Sequence, residues 1–284
     1  MANSIVSNPS ASYAATNLNK SAALLQKSLS RLSSGSRIPE SSDDAGGLAV
    51  SMKLKATLSR SDAVSANISN AISLLQTQGA SLANFSAVVT RMSELAVRMK
   101  DATQNSTDLE NYYAEYSVLR DELDKIEQDK FNGVGLFDNS TLTVHVREDG
   151  SSPQAVELFD LNDADIALVR LTVVGGTPGN RTDSPATPAY SDVKSLSGTD
   201  FTNALQKLAT YTAKLGANLS ELQHALERNN SMRVNLEQAN SRIADVDVAA
   251  ETTRLAKAKV LVDAGTSALS QANRANDALL KLLS

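Results

Sequence analysis

Leu18-Asn-Lys-Ser-Ala-Ala-Leu-Leu-Gln-Lys-Ser-Leu-Ser-Arg-Leu32-Ser-Ser-Gly-Ser-Arg-Ile-Pro39-Glu-Ser-Ser-Asp-Asp44 carries a helical seam, a break and a restart in one short stretch. Leu18, Ala22, Leu25, Leu29 and Leu32 follow a 4-3-4-3 spacing, which places them on one stripe of an α-helix and predicts a coiled-coil seam. The helix has to stop soon afterwards. Gly35 relaxes its end, Pro39 cannot continue it, and the residue before a proline is pushed towards extended geometry. Ser41-Ser-Asp-Asp44 then offers oxygens and negative charge to the open amides of a second helix, predicted to begin near Ala45.

That second helix keeps apolar residues at Leu58, Ile68, Ile72, Leu75, Leu82, Phe85, Val89, Met92, Ala96 and Met99, with Ser, Asn and Gln in most other places. It is expected to run to about Lys100, a rod of about 75 Å at roughly 1.5 Å per residue. A third helix is expected from Asp108 to Gln128, closed at Asn132-Gly133, a tight-turn dipeptide. The period then falls to two: Leu142, Val144 and Val146 alternate with polar residues, and Ala167 to Val174 reads as a further strand. Residues 175–188, rich in turn formers, read as a loop that continues to about 199, with helix returning at Phe201. Leu205, Leu208, Leu215, Leu219, Leu222 and Leu226 lead on through Leu236 to Ile243, a long helix suited to antiparallel pairing with the first rod. After a joint or fresh N-cap at Asp245-Val-Asp247, Leu255, Val262, Leu269, Leu279 and Leu283 keep an apolar stripe to the last turn. The fold class expected is mostly α: a long antiparallel coiled-coil-like rod, a small β-hairpin region and amphipathic helices at both ends.

Composition agrees. The 284 residues are 42% hydrophobic but only 4% aromatic, which suits narrow aliphatic seams better than a globular core. The absence of Cys excludes disulfides, zinc ribbons, thiol nucleophiles and iron–sulfur sites, and two His leave little for other transition metals, so no cofactor is expected. A net charge of −5 gives no basic footprint for nucleic acid. The acidic cluster Asp121, Glu122, Asp124, Glu127 and Asp129 reads as a solvated helical face. No apolar run reaches the eighteen or so residues of a membrane helix, so no insertion is expected. The N-terminal residues, with no basic residue before Lys20 and no apolar block, predict no cleavable secretory signal.

Leu32-Ser-Ser-Gly-Ser-Arg-Ile38 followed by Ser42-Asp-Asp-Ala-Gly-Gly-Leu48 closely resembles the N-terminal motif of bacterial flagellins. Downstream segments agree in order: Ser93 to Val97, Phe131-Asn-Gly133, Ser241 to Asp245, Ala250-Glu-Thr252 and Gly265 to Asn273. The resemblance covers roughly residues 1–140 and 200–284. It implies a homopolymeric filament subunit that lies in the extracellular bacterial flagellum. Residues 1–44 and 249–284 would form the inner core, packed through Leu18, Leu25, Leu29, Leu32, Leu255, Val262, Leu269, Leu279 and Leu283. Residues 45–140 and 201–248 would form an outer helical tube, and 141–200 a variable surface region. Ser34, Gly35, Arg37, Ile38, Asp43 and Asp44 would form the hinge between core and rod. The resemblance also implies type III export in an unfolded state, and a filament cap, hook–filament junction proteins and an export chaperone as partners. In Val89-Thr-Arg-Met-Ser-Glu-Leu95, Arg91, Glu94 and Leu95 match a family segment recognised by an innate immune receptor, while Ser93 stands where the family often has a second Arg and cannot replace its forked donors.

Three other readings are weaker. Hook–filament junction proteins resemble the chain, but their Asp-Asp motif is usually followed by Pro, where Ala45 stands here. An adaptor coiled coil would explain the heptads but not the ordered motifs. An enzyme would need residues that are absent: His145 and His224 are far apart, there is no His-Glu-x-x-His or Gly-x-Ser-x-Gly, and Gly175-Gly-Thr-Pro-Gly179 lacks the Lys and following helix of a phosphate loop.

Overall fold

The structure, a computed structural model, describes residues 8–151, 153–170 and 190–283. For 164, 168, 190–192 and 276–283 it describes the backbone alone. Seven helices and two small antiparallel sheets occur among these residues: α1 Pro9–Ser34, α2 Ala45–Met99, α3 Ser106–Glu127, β1 Lys130–Phe131, β2 Val134–Gly135, β3 Thr141–Val144, β4 Gln154–Glu157, α4 Ala164–Val169, α5 Tyr190–Ser195, α6 Gly198–Ala244 and α7 Val248–Leu283. Packing divides the chain into two compact units. One takes Met1–Ser59 with Val234–Ser284, the other Arg60–Arg233.

The Arg60–Arg233 unit holds the hydrophobic core. Ile68, Leu75, Leu82, Phe85, Val89, Met92 and Met99 of α2 are buried at steps of three, four or seven residues. They join Leu109, Tyr116, Leu123 and Ile126 of α3 and Phe201, Leu208, Leu215 and Leu222 of α6. Gly79 lets α6 come close, since a Cβ there would stand 3.3 Å from Leu215 Cδ2. The packing between α2 and α6 turns polar at Asn229. Asn229 is buried and donates from Nδ2 to Ser61 O and Ser65 Oγ at 2.8 and 2.7 Å, while the Ser61 hydroxyl donates to its Oδ1 at 2.9 Å.

β1 and β2 are joined by Asn132 and Gly133, both at positive φ (49° and 83°), the two-residue turn whose twist suits a hairpin. Gln78 of α2 pins the segment after β2 by donating to Leu136 O at 2.8 Å. β3 and β4 pair from Thr141↔Glu157 to Val144↔Gln154. The alternating residues thus find their partner at 154–157, and the strand expected at 167–174 is corrected: residues 164–169 are α4, and 171–174 lie outside the described residues. The run Ile166, Ala167, Val169 is buried throughout, and a short continuous apolar run fits a buried helix as well as a strand. In the helical turn observed, the Asp163 carbonyl accepts the amides of Ile166 and Ala167. The loop expected up to 199 is also corrected, because 190–195 is helix α5 and α6 begins at Gly198. The rest of that loop, 175–189, lies outside the described residues.

The unit formed by the chain ends is built differently. α1 and α7 pack on each other, yet Ser28 is the buried residue of α1. The unit's buried hydrophobic residues are Ile38, Ala244 and Ala258 among those described.

Candidate functional site: the terminal helix pair and its linkers

Each end of the α1–α7 pair is set by local chemistry. Asn8 caps α1, its Oδ1 accepting from Ala11 N at 3.0 Å, and Pro9 occupies the first turn, where a missing N–H costs nothing. The Asn8 amide also donates to Ala272 O of α7 at 3.1 Å. At the other end Gly35 closes α1 with φ +68°. The start of α7 is capped by Asp247, whose carboxylate accepts from Ala250 N at 3.0 Å.

Between these helices and their neighbours, the two breaks in the chain pair with one another. Ser36 and Asp245 form an antiparallel bridge. Arg37 N donates to Ala244 O at 2.6 Å, Val246 N to Gly35 O at 3.1 Å, and Ser36 Oγ to Ala244 O at 3.2 Å. The backbone groups freed by both helix ends therefore satisfy each other. Ile38 is buried just beyond, while the Ser34 and Arg37 side chains are exposed.

An ionic cluster ties the loop and α7 to α1. Asp43 is paired with Lys27 and stands 3.9 Å from Arg31. Asp44 caps α2 by accepting from Gly47 N at 2.8 Å. A Cβ at Gly47 would lie 2.4 Å from Asp44 Oδ2 and 2.9 Å from Ile38 Cδ1, so the close approach of this loop needs glycine. Glu251 on α7 is only 2% exposed. It accepts the Ser28 hydroxyl at 2.6 Å and Arg254 at 2.9 Å, with Arg31 at 3.9 Å. Burial alone would push its carboxyl up, but the Ser28 hydrogen bond and the neighbouring guanidinium groups outweigh it and hold the pKa below the ordinary value.

The expected seam is half realised. Leu18, Leu25 and Leu32 are half-buried, as are Leu255, Val262 and Leu269 opposite, and Gly265 lets Leu18 approach to 3.2 Å of where a Cβ would stand. Leu29 is 58% exposed and Ala22 is exposed too, because the stripe facing α7 steps through Ser21 and Ser28 instead. The side chains of Leu279 and Leu283 lie outside the described residues. Tyr13, Leu24 and Leu29 of α1 and Val248, Val260 and Leu261 of α7 thus form apolar surface on a unit with almost no large side chain inside.

The candidate receptor segment lies in the other unit. Arg91 is bonded to Glu115 of α3 at 2.9 and 2.7 Å and to Glu94 at 2.9 Å, and Leu95 is buried. No cluster of His, Cys, Asp or Glu suited to a metal occurs among the described residues, and none of their helices is long and apolar enough to cross a membrane.

Compared with known families, the model for the bacterial flagellin N-terminal helical region matches residues 5–141 and that for the C-terminal helical region matches 199–283. The chain belongs to the bacterial flagellin family. Flagellins of Halalkalibacterium halodurans and Bacillus subtilis are each 31% identical over 91% of this chain, covering 91% and 92% of their own. The flagellar filament 33 kDa core protein of Treponema phagedenis is 30% identical over 97% of this chain and 98% of that one. As a flagellin, the chain is a structural subunit of the bacterial flagellar filament.

Apolar periodicity does not show the parts of this flagellin that key α1 to α7. Ser28 and Glu251 escape a reading that seeks seams among Leu and Val. A signal is nevertheless present: Glu251 stands four residues before Leu255, at the seam's own spacing, where an isolated charge is costly unless paired.

Proposed function

We propose that this flagellin leaves the cell unfolded and assembles through α1 and α7, which form the inner layer of the filament wall. The observation that carries this reading is the pair's imbalance: large apolar side chains exposed on both helices, and a buried set of Ile38, Ala244 and Ala258 where a folded unit needs a core. Such a pair gains most of its burial from other copies, since helices in proteins draw most of their stability from packing an apolar face rather than from the helix itself. In this reading residues 1–44 and 249–284 form the inner core, 45–140 and 201–248 the outer tube, and 141–200 the outer surface. Its action is mechanical and not enzymatic. The filament cap, hook–filament junction proteins and an export chaperone are its further partners.

Removal of residues 250–284 tests the reading. The shortened chain is expected to stay soluble and helical but to form no filaments under electron microscopy, because α1 loses its partner and the assembly its inner layer. Filaments from the shortened chain would overturn it.

A further inference from the structure

We propose that the buried Ser61–Asn229 pair fixes the register in which α2 and α6 run side by side, so that every copy of this flagellin folds with the same helix pairing. Both helices carry a row of seam residues at strict seven-residue steps. On α2 the row reads Ser61, Ile68, Leu75, Leu82 and Val89, and on α6 it reads Leu208, Leu215, Leu222, Asn229 and Leu236. Each row has one polar member, and the two polar members are bonded to each other. Ser61 Oγ donates to Asn229 Oδ1 at 2.9 Å, while Asn229 Nδ2 donates to Ser61 O at 2.8 Å and to Ser65 Oγ at 2.7 Å. Ser61 is 1% exposed and Asn229 5%, so water has no access to stand in for either partner.

A seven-residue repeat matches itself again after a slip of one repeat, so the apolar members of the two rows do not by themselves choose a register. Such a slip carries α6 about 10 Å along α2. In one direction Asn229 would meet Ile68 and Ser61 would meet Leu236; in the other Asn229 would meet Leu54 and Ser61 would meet Leu222. The Asn229 amide would then be shielded from water without its partners, a cost that falls on the slipped registers alone. Buried polar pairs of this kind add little stability over apolar residues of similar volume, and their effect is on which pairing forms. Ser51 and Asn240, 2.7 Å apart in the terminal unit, make a weaker key, because Asn240 is half-buried and reaches water and a Ser hydroxyl can turn to its own helix backbone. Filament subunits occupy equivalent places, and a chain that folded in two registers would not fit them.

The full chain has no Cys, so Asp62→Cys with Arg233→Cys places one nitroxide label on each helix, at side chains that are 61% and 44% exposed. Pulsed electron paramagnetic resonance of this labelled parent is expected to give one narrow distance. Adding Asn229→Leu is expected to give a second distance, longer by up to about 10 Å. The far-ultraviolet helix signal should be unchanged and the thermal midpoint no lower than the parent's. Leu222→Ala, which loosens the same seam without touching the polar pair, is expected to lower the midpoint and keep the single distance. A single distance in the Asn229→Leu chain would overturn the proposal by leaving the register to the rest of the core. A lower midpoint or loss of folding in that chain would overturn it by making the pair an ordinary stabilising contact. A second distance in the Leu222→Ala chain or in the parent would overturn it as well, since the polar pair is intact in both.

Discussion

Glu251 shows how one side chain can set the behaviour of a helix pair. Its carboxylate is more favoured in the folded chain than in the unfolded one, so its stabilisation is complete above the unfolded-state value near 4.5 and is lost as pH falls through the lower folded value. The α1–α7 pair is expected to lose stability as pH falls below about 4.5, and Glu251→Gln to show a flatter acid dependence in thermal melting. Glu251→Ala removes charged hydrogen bonds at a buried site and should weaken the α1–α7 pair by about 2 kcal/mol. The two glycines of the linker separate strain from crowding. At Gly35 a Cβ meets nothing within 4 Å, so Gly35→Ala costs only the left-handed backbone, about 1 kcal/mol, and Gly35→Asn less. At Gly47, which is helical and carries no left-handed cost, the added Cβ strikes Asp44 and Ile38, so Gly47→Ala should cost the α2 cap, roughly 1–2 kcal/mol. Thermal melting of the three variants checks the order.

Among the elements, α4 is the one most dependent on contacts that no local pattern announces. Arg170 follows it with its side chain fully buried, donating to Glu127 at 2.6 Å, to Asn162 at 3.2 Å and to Asp124. Tyr116 of α3 donates to Val169 O, and burial raises the pKa of that hydroxyl. Arg170→Met would leave two carboxylates facing an apolar chain and should cost about 3 kcal/mol. The expected readout is a lower urea midpoint for the Arg60–Arg233 unit. This element also marks a limit of reading by period. The long helices were legible because their stripes recur over many turns, and the Asn132-Gly133 turn because its φ values demand those residues. Residues 164–169 are too short for a period, and Asp124 and Glu127, which hold them through the adjoining Arg170, are distant in the chain. Three acidic residues that look like a plain solvated cluster, Asp124, Glu127 and Asp129, in fact meet Arg170 and Ser81.

For the whole molecule, the division of burial between its two units sets how it should behave. The free subunit is expected to show slow amide hydrogen exchange in the core helices between residues 60 and 233. Exchange in α1 and α7 should be at least about a hundred-fold faster, becoming slow only after polymerisation. Equal protection throughout the free subunit would contradict this. By itself the sequence determined the long helices, their breaks at Gly35 and Asp245, the flagellin motifs and the poverty of aromatic core, because periodicity, caps and glycine act locally. The tertiary structure alone decided that Leu29 faces outward while Ser28 and Glu251 face inward, that the two breaks bond to each other, and that α4 is a helix. Each of these depends on groups more than one helix apart in the chain, and burial and hydrogen bonding select them only once the helices are side by side.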